Sequence, residues 1–228
     1  DILRVFAGRD SSGVRGIRLQ PGDEVNSLCV LTHVDATVEE RASYSKMANA
    51  KRRLLLAQTD DGEEAEEIVA DDSGEDIAVT GDLTPERFEE MERQEEILLT
   101  VTDAGFGRRS SAYDYRVSGR GGQGIANMTL TNPKRGRDVV ATLPVLEGED
   151  IMMVTDVGRL IRMPVAQIRI MARQASGVTL CRVGDAEKVA AIFPVMEEEG
   201  EDGDIEGADI VAVGGVEAPP SEAPAPER

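Results

Sequence analysis

From Ile97 to Val195 apolar and polar positions alternate in short runs of about five to eight residues, separated by Gly-bearing polar turns, the pattern of strands. ILLTVTDAGFGRRSSAYDY (97–115) and IMMVTDVGRLIRMPVAQI (151–168) each read as strand, VTD, a Gly turn and a basic second strand. GGQGIANMTLTNPKRGRDVVATLPVL (121–146) and ASGVTLCRVGDAEKVAAIFPV (175–195) each read as a glycine followed by a β-branched residue, an alternating strand, a polar turn and an apolar strand. SSGVRGIRLQPGDEVNSLCVL (11–31) repeats this second half alone. Gly124 and Gly177 lie 53 positions apart; Gly13 and Gly124 lie 111 apart, an excess close to the length of the stretch between 35 and 96. Four short strands per unit predict propeller-like blades. The pattern thus predicts an all-β protein with about two and a half blades: a partial blade over 1–34, a blade over 97–148 and a last blade over 149–196. A single blade cannot bury both faces, so missing strands and neighbours come from elsewhere. In VRGIRL (14–19) the two faces carry Val14, Gly16 and Arg18 against Arg15, Ile17 and Leu19, an incomplete apolar/polar split that places one basic residue of the pair at a blade edge.

The period changes over 35–96. TVEERASYSKMANAKRRLLLA (37–57) has helical spacing and good helix formers. LTPERFEEMERQEE (83–96) offers Thr84 as N-cap, Pro85 at the first helical position and an acidic first turn. The stretch between them reads as loop with short extended pieces. From Glu197 onward the chain is acidic and rich in Pro and Ala, which predicts a disordered tail over 197–228.

Charge sharpens this division. The formal net charge is −19, but residues 35–96 sum to −13, residues 197–228 to −10, and the remaining body to +4. A mildly basic body between acidic segments points to an anionic partner. The acidic tail then admits two readings, a solubilising run or a phosphate mimic that competes for the basic body. Aromatic content is only 3% with no Trp, which argues against base stacking as the binding device. Cys29 and Cys181 sit in apolar strand-like runs as buried small hydrophobes. With the single His33 they offer neither a zinc spacing nor a catalytic triad, so no metal or catalytic residue is expected. No apolar run reaches membrane-span length, and no secretory signal is read. The chain opens at Asp1 on a strand-like run without Met, and reads as part of something longer.

The candidate chemistry is therefore cationic. Arg9, Arg15 and Arg18 belong to the first unit; Arg108 and Arg109 open the second strand after AGFG; Arg159 and Arg162 occupy the like segment of the next blade. Arg116 and Arg120 precede a Gly loop, as Arg169 and Arg173 precede the SG of the next repeat, and Lys134, Arg135 and Arg137 form a basic turn. Guanidinium groups repeated along one surface suit phosphate oxygens. The loop GRGGQG (119–124) allows two uses: Gly121 and Gly122 bring backbone amides close to a phosphate with Arg120 at the lip, or the glycines serve a tight crossover between blades. No Lys-Ser/Thr pair follows, so it is not a Walker loop, and no nucleotide site is read.

The run IMMVTDVGRLIRMPVAQIRIMARQASGVTLCRV resembles the last blade of the C-terminal domain of the DNA gyrase A subunit, and SSGVRGIRLQPGDEV resembles an earlier blade. The resemblance covers about 1–34 and 97–196. It implies a β-pinwheel, a propeller-like disc with strands exchanged between blades, whose rim binds and wraps double-stranded DNA. It further implies a place in an ATP-dependent type IIA topoisomerase that introduces negative supercoils. In that assembly the catalytic tyrosine lies in the N-terminal part of the same polypeptide. The gyrase B subunit would be a partner in an A2B2 heterotetramer, where ATP and Mg belong to that partner. A cytoplasmic, nucleoid-associated location without membrane contact follows from the same resemblance. GRGGQG is similar to the family's QRRGGKG-type box but stands in the second-to-last repeat. The insert at 35–96 is a departure from many members. The alternatives are the related C-terminal disc of the topoisomerase IV A subunit and a protein-interaction propeller that binds an acidic partner.

Overall fold

A computed structural model describes residues 5–58, 83–184 and 186–195, all within a compact unit spanning Asp1–Glu197. The segment expected to link the two helices (59–82) and the tail expected to be disordered (197–228) lie outside the described residues.

Among the described residues seven strands form two antiparallel sheets. β1 (Ile97–Thr102), β2 (Phe106–Ser111), β3 (Val139–Val145) and β6 (Val178–Thr179) make the first, in the order β3-β1-β2-β6. β4 (Asp150–Thr155), β5 (Leu160–Pro164) and β7 (Val189–Val195) make the second, in the order β5-β4-β7. The two copies of the VTD turn fold alike. The carbonyl of Thr102 accepts the Gly105 amide at 3.1 Å and its hydroxyl accepts the Phe106 amide at 3.2 Å. Thr155 does the same for Gly158 at 3.0 Å and Arg159 at 3.1 Å. Both ladders slip at the equivalent place, between Val101 and Thr102 and between Val154 and Thr155. A register shift of this kind increases local twist.

β6 comes from the third repeat yet completes the sheet of the second. Phe106 pairs with Thr179 and Gly107 with Val178. The approach is close: a Cβ on Gly177 would stand 2.6 Å from the Gly107 carbonyl oxygen. Gly177 also has φ +76°, and its repeat equivalents Gly13 and Gly124 have φ +75° and +78°. Three equivalent glycines in one left-handed conformation show that the repeat is a repeat of backbone shape.

Period-two alternation sends Leu99 and Val101 of β1, and Ile151 and Met153 of β4, into one core shared by both sheets. Val145, Val189 and Ile192 join from β3 and β7, and Val165, Ile168 and the free Cys181 from the connections.

The N-terminal unit departs from the expected strands. Residues 14–19 form no strand; their alternation is realised as a single parallel bridge between Ile17 and Gly122. The chain then skirts the outer edge of β3, where Asn26 donates to the Val139 carbonyl at 2.6 Å and the Ser27 hydroxyl accepts the Thr142 amide at 3.0 Å. Val5, Leu28 and Val30 remain exposed.

The insert is a pair of helices, α1 (Val38–Gln58) and α2 (Pro85–Gln94). Thr84 caps α2 as the sequence predicts, accepting the Arg87 amide at 3.3 Å, with Pro85 in the first turn. A reciprocal capping box between Thr37 and Glu40 starts α1. The pair docks on the blade through a second small core of Tyr44, Ala48, Met91 and Tyr113. The rings of Tyr44 and Tyr113 meet edge-on at 5.0 Å, and the Tyr113 hydroxyl donates to the Met91 carbonyl at 3.0 Å. Many insert charges are spent internally: Arg52 on Glu95, Arg87 on Glu40 and Glu90, Lys51 on Glu92. Among the described residues no helix is long and apolar enough to cross a membrane.

Candidate nucleic-acid interface

The sixteen expected contact residues separate by burial. β2 is covered on both faces over Gly107–Ser111, because β1 and β6 flank it while the other elements close over each face. Arg108 and Arg109 therefore point to opposite faces and are buried nonetheless. Arg108 has no exposed surface. Its Nε donates to the Ala175 carbonyl at 3.0 Å, and its Nη2 donates to Asn127 and to the Arg173 carbonyl. Burial lowers its pKa, an effect that Tyr115 and Asp114 oppose. Arg109, 5% exposed, donates to the Ile168 carbonyl and pairs with Glu147. Both guanidinium groups, expected to contact DNA, are spent here on a clasp that holds the third repeat against β2. Arg173 has the same role, donating to the carbonyls of Asp114 and Ala126. Arg135 spans both roles: it donates to the Gly177 carbonyl at 3.0 Å, lies 5.6 Å from the Phe106 ring centre and is half-buried. Arg169 is likewise half-buried.

The others face outward. Arg18 donates its amide to the Gly122 carbonyl at 2.8 Å, and Gly121 donates to the Gly16 carbonyl at 2.6 Å. This exchange lays the VRGIRL segment along the GRGGQG loop, so exposed Arg15 and Arg18 adjoin exposed Arg120, with Arg116 close behind in sequence. The loop here links the first unit to the second, and its Gly121 amide is taken up by the Gly16 carbonyl. A polar network anchors the loop's far end: Asn127 donates to the hydroxyls of Thr100 at 3.3 Å and Thr142 at 3.0 Å and accepts from Tyr115.

Lys134 and Arg137 are exposed on a turn capped by Asn132. Asp103 holds that turn, accepting the Arg137 amide at 2.9 Å, and it pairs with Lys188 at 3.1 Å. Burial opposes ionisation of Asp103, but the Arg137 and Asp138 amides and the Lys188 ammonium outweigh it and depress its pKa. Arg159 pairs with Glu187 at 2.7 Å and Arg162 with Asp150 at 2.5 Å, both arginines half-exposed. Arg9 stands 3.8 Å from Asp10 with its side chain 95% exposed. Spacing alone does not single out Asp103, Asn127 and Glu147, which hold this surface through hydrogen bonds and an ion pair. The VTD motif was the available signal for Asp103.

The family model described as DNA gyrase C-terminal domain, beta-propeller, matches residues 4–28, 96–133 and 149–196. The DNA gyrase A subunit of Granulibacter bethesdensis is 58% identical over 212 residues, which is 93% of this chain and 22% of that protein. Its Rickettsia bellii counterpart is 45% identical over 195 residues, 86% of this chain and 20% of that protein. The chain thus spans about a fifth of the length of these relatives. The family model passes over 29–95, but the 212-residue match must run through most of it, so the Granulibacter relative has a counterpart of the insert. A solved structure of DNA gyrase A C-terminal domain aligns at TM-score 0.42 and 19% identity, over 46% of this chain and 35% of that one. The segments matched by the family model carry Arg15, Arg18 and the arginine-bearing Gly loop together with most of both sheets, and the chain belongs to the DNA gyrase C-terminal domain family.

Proposed function

We propose that this chain is the DNA-binding and DNA-wrapping module of a gyrase A subunit, supporting ATP-dependent negative supercoiling by the holoenzyme. The observation that carries the reading is the exchange between VRGIRL and GRGGQG, which lays two segments bearing the exposed Arg15, Arg18, Arg116 and Arg120 side by side. Together with Lys134, Arg137, Arg159 and Arg162 these groups form a set without base-reading partners, suited to the sugar-phosphate backbone. Bending 20–30 base pairs by 40–90° costs on the order of 1–6 kcal/mol, which several arginine–phosphate contacts offset. In this reading the chemistry of strand cleavage belongs to the N-terminal part of the full-length polypeptide. ATP with Mg belongs to the gyrase B subunit, the partner in the A2B2 assembly. The module works in the cytoplasm on the nucleoid.

The test is topological. A nicked circle is ligated with the chain bound, and linking number is read after deproteinisation. Wrapping shifts the distribution in one direction in proportion to bound protein. A salt-sensitive complex with no shift would instead make the chain a protein-interaction propeller.

A further inference from the structure

The insert carries a net charge of −13 over 35–96, yet it brings an arginine to a cavity shared with the blade. The cavity, about 300 Å³, opens where the start of α1 meets residues 31–34 and the segment after β2. Arg41 of α1, Arg116 of the blade and His33 of the linking chain all line it. Arg41 is half-buried; its Nη2 donates to the Val34 carbonyl at 3.3 Å, but its Nε is buried with no acceptor. A buried donor left unmatched costs about 1–3 kcal/mol, and most native sites supply a partner. The carboxylate in the lining, Glu96, does not fill that need: its two oxygens accept from the Thr32 amide at 2.9 Å and the Thr32 hydroxyl at 3.1 Å. Arg116 is exposed and makes no ion pair among the described residues. Two guanidinium groups and an imidazole thus line one recess.

We propose that this recess is a binding site for a phosphate group, built jointly by the helical insert and the blade. Arg41 and Arg116 supply the charge and the planar donor forks, and His33 a further ring donor. The phosphate has two sources with the same chemistry, a free anion and the backbone of a duplex. The second rests on the wrapping reading above, since Arg116 adjoins the Gly loop; the first does not. The site gives the insert a role, because the helices fix Arg41 at the edge of the cationic surface while Lys51, Arg52 and Arg87 pair with carboxylates of the insert itself.

The experiment uses the whole chain and two variants, Arg41→Gln and Arg116→Gln. Arg116 is exposed, so its variant keeps the test valid if Arg41→Gln unfolds the helical pair. Inorganic phosphate is titrated and followed by ³¹P line broadening; binding of a short duplex is followed against salt. The free-anion source predicts phosphate binding that weakens about tenfold in each variant. The backbone source predicts weaker duplex binding, with the slope of log K against log salt falling by about one per variant. Either result supports the site. Phosphate binding untouched by both variants, or no binding of phosphate together with unchanged duplex binding, overturns it. A failed linking-number assay alongside intact phosphate binding would sink wrapping and leave the recess standing.

Discussion

Arg108 and Arg120 carry the same guanidinium to opposite ends of the solvent scale, and their substitutions should separate accordingly. Arg108→Leu strands the carbonyls of Ala175, Asn127 and Arg173 without their donor. The expected loss is about 2–4 kcal/mol in urea unfolding, with duplex affinity per folded molecule unchanged. Arg120→Ala should leave stability within about 0.5 kcal/mol and lower the salt slope of duplex binding by about one. Sequence could not tell the two apart, because a basic strand residue reads the same whether or not other elements cover both faces. Of the two basic second strands, β5 alternates, with exposed Leu160, Arg162 and Pro164 between half-buried positions, and β2 does not. The glycines allow a second comparison. Gly177→Ala places a methyl group against Gly107 backbone, which has no flexible end to move, and adds left-handed strain. It should cost at least about 2 kcal/mol, whereas Gly13→Ala, with open space around its Cβ, should cost about 1 kcal/mol from φ alone. Equal losses in thermal melts would show that the interblade approach is slack.

At the scale of the element, the helices were the most legible feature. Helical spacing over 37–57 became Val38–Gln58, and Thr84 and Pro85 marked the start of α2. Their docking was not legible, since it depends on Tyr113 and Asp114 in a turn that carries no pattern of its own. The joint has a pH dependence. Burial pushes the Asp114 carboxyl above its ordinary range; the Ser45 hydroxyl, at 2.8 Å, pulls against this, and Glu95 adds to the rise. The folded chain therefore keeps this proton at a pH where the unfolded chain has lost it. Stability from this group rises as pH falls from the raised folded value toward the unfolded value of about 3.9. Asp114→Asn mimics the protonated carboxyl and keeps an oxygen for Ser45. The variant should melt higher than the parent at about pH 7, and the gap should close as pH approaches about 4. A gap that stays constant would place the stabilisation elsewhere.

For the molecule as a whole, partitioned charge was the sequence signal that pointed to an anionic partner: a body of +4 and segments of −13 and −10. If the acidic tail competes for the cationic surface, ending the chain after residue 196 should tighten duplex binding at one fixed low salt, and the gain should shrink as salt rises. No change on truncation removes the competition. The 53-residue spacing of Gly124 and Gly177 announced the repeat but not the exchange of β6, because a strand that leaves its own unit keeps the same local pattern. That exchange bears on biosynthesis. Ribosomes emit the polypeptide from its amino end, and β2 waits with an unpaired flank until Thr179 has emerged and folded back. A nascent or prematurely terminated product ending before Gly177 exposes that naked border, a template for wrongful pairing between chains.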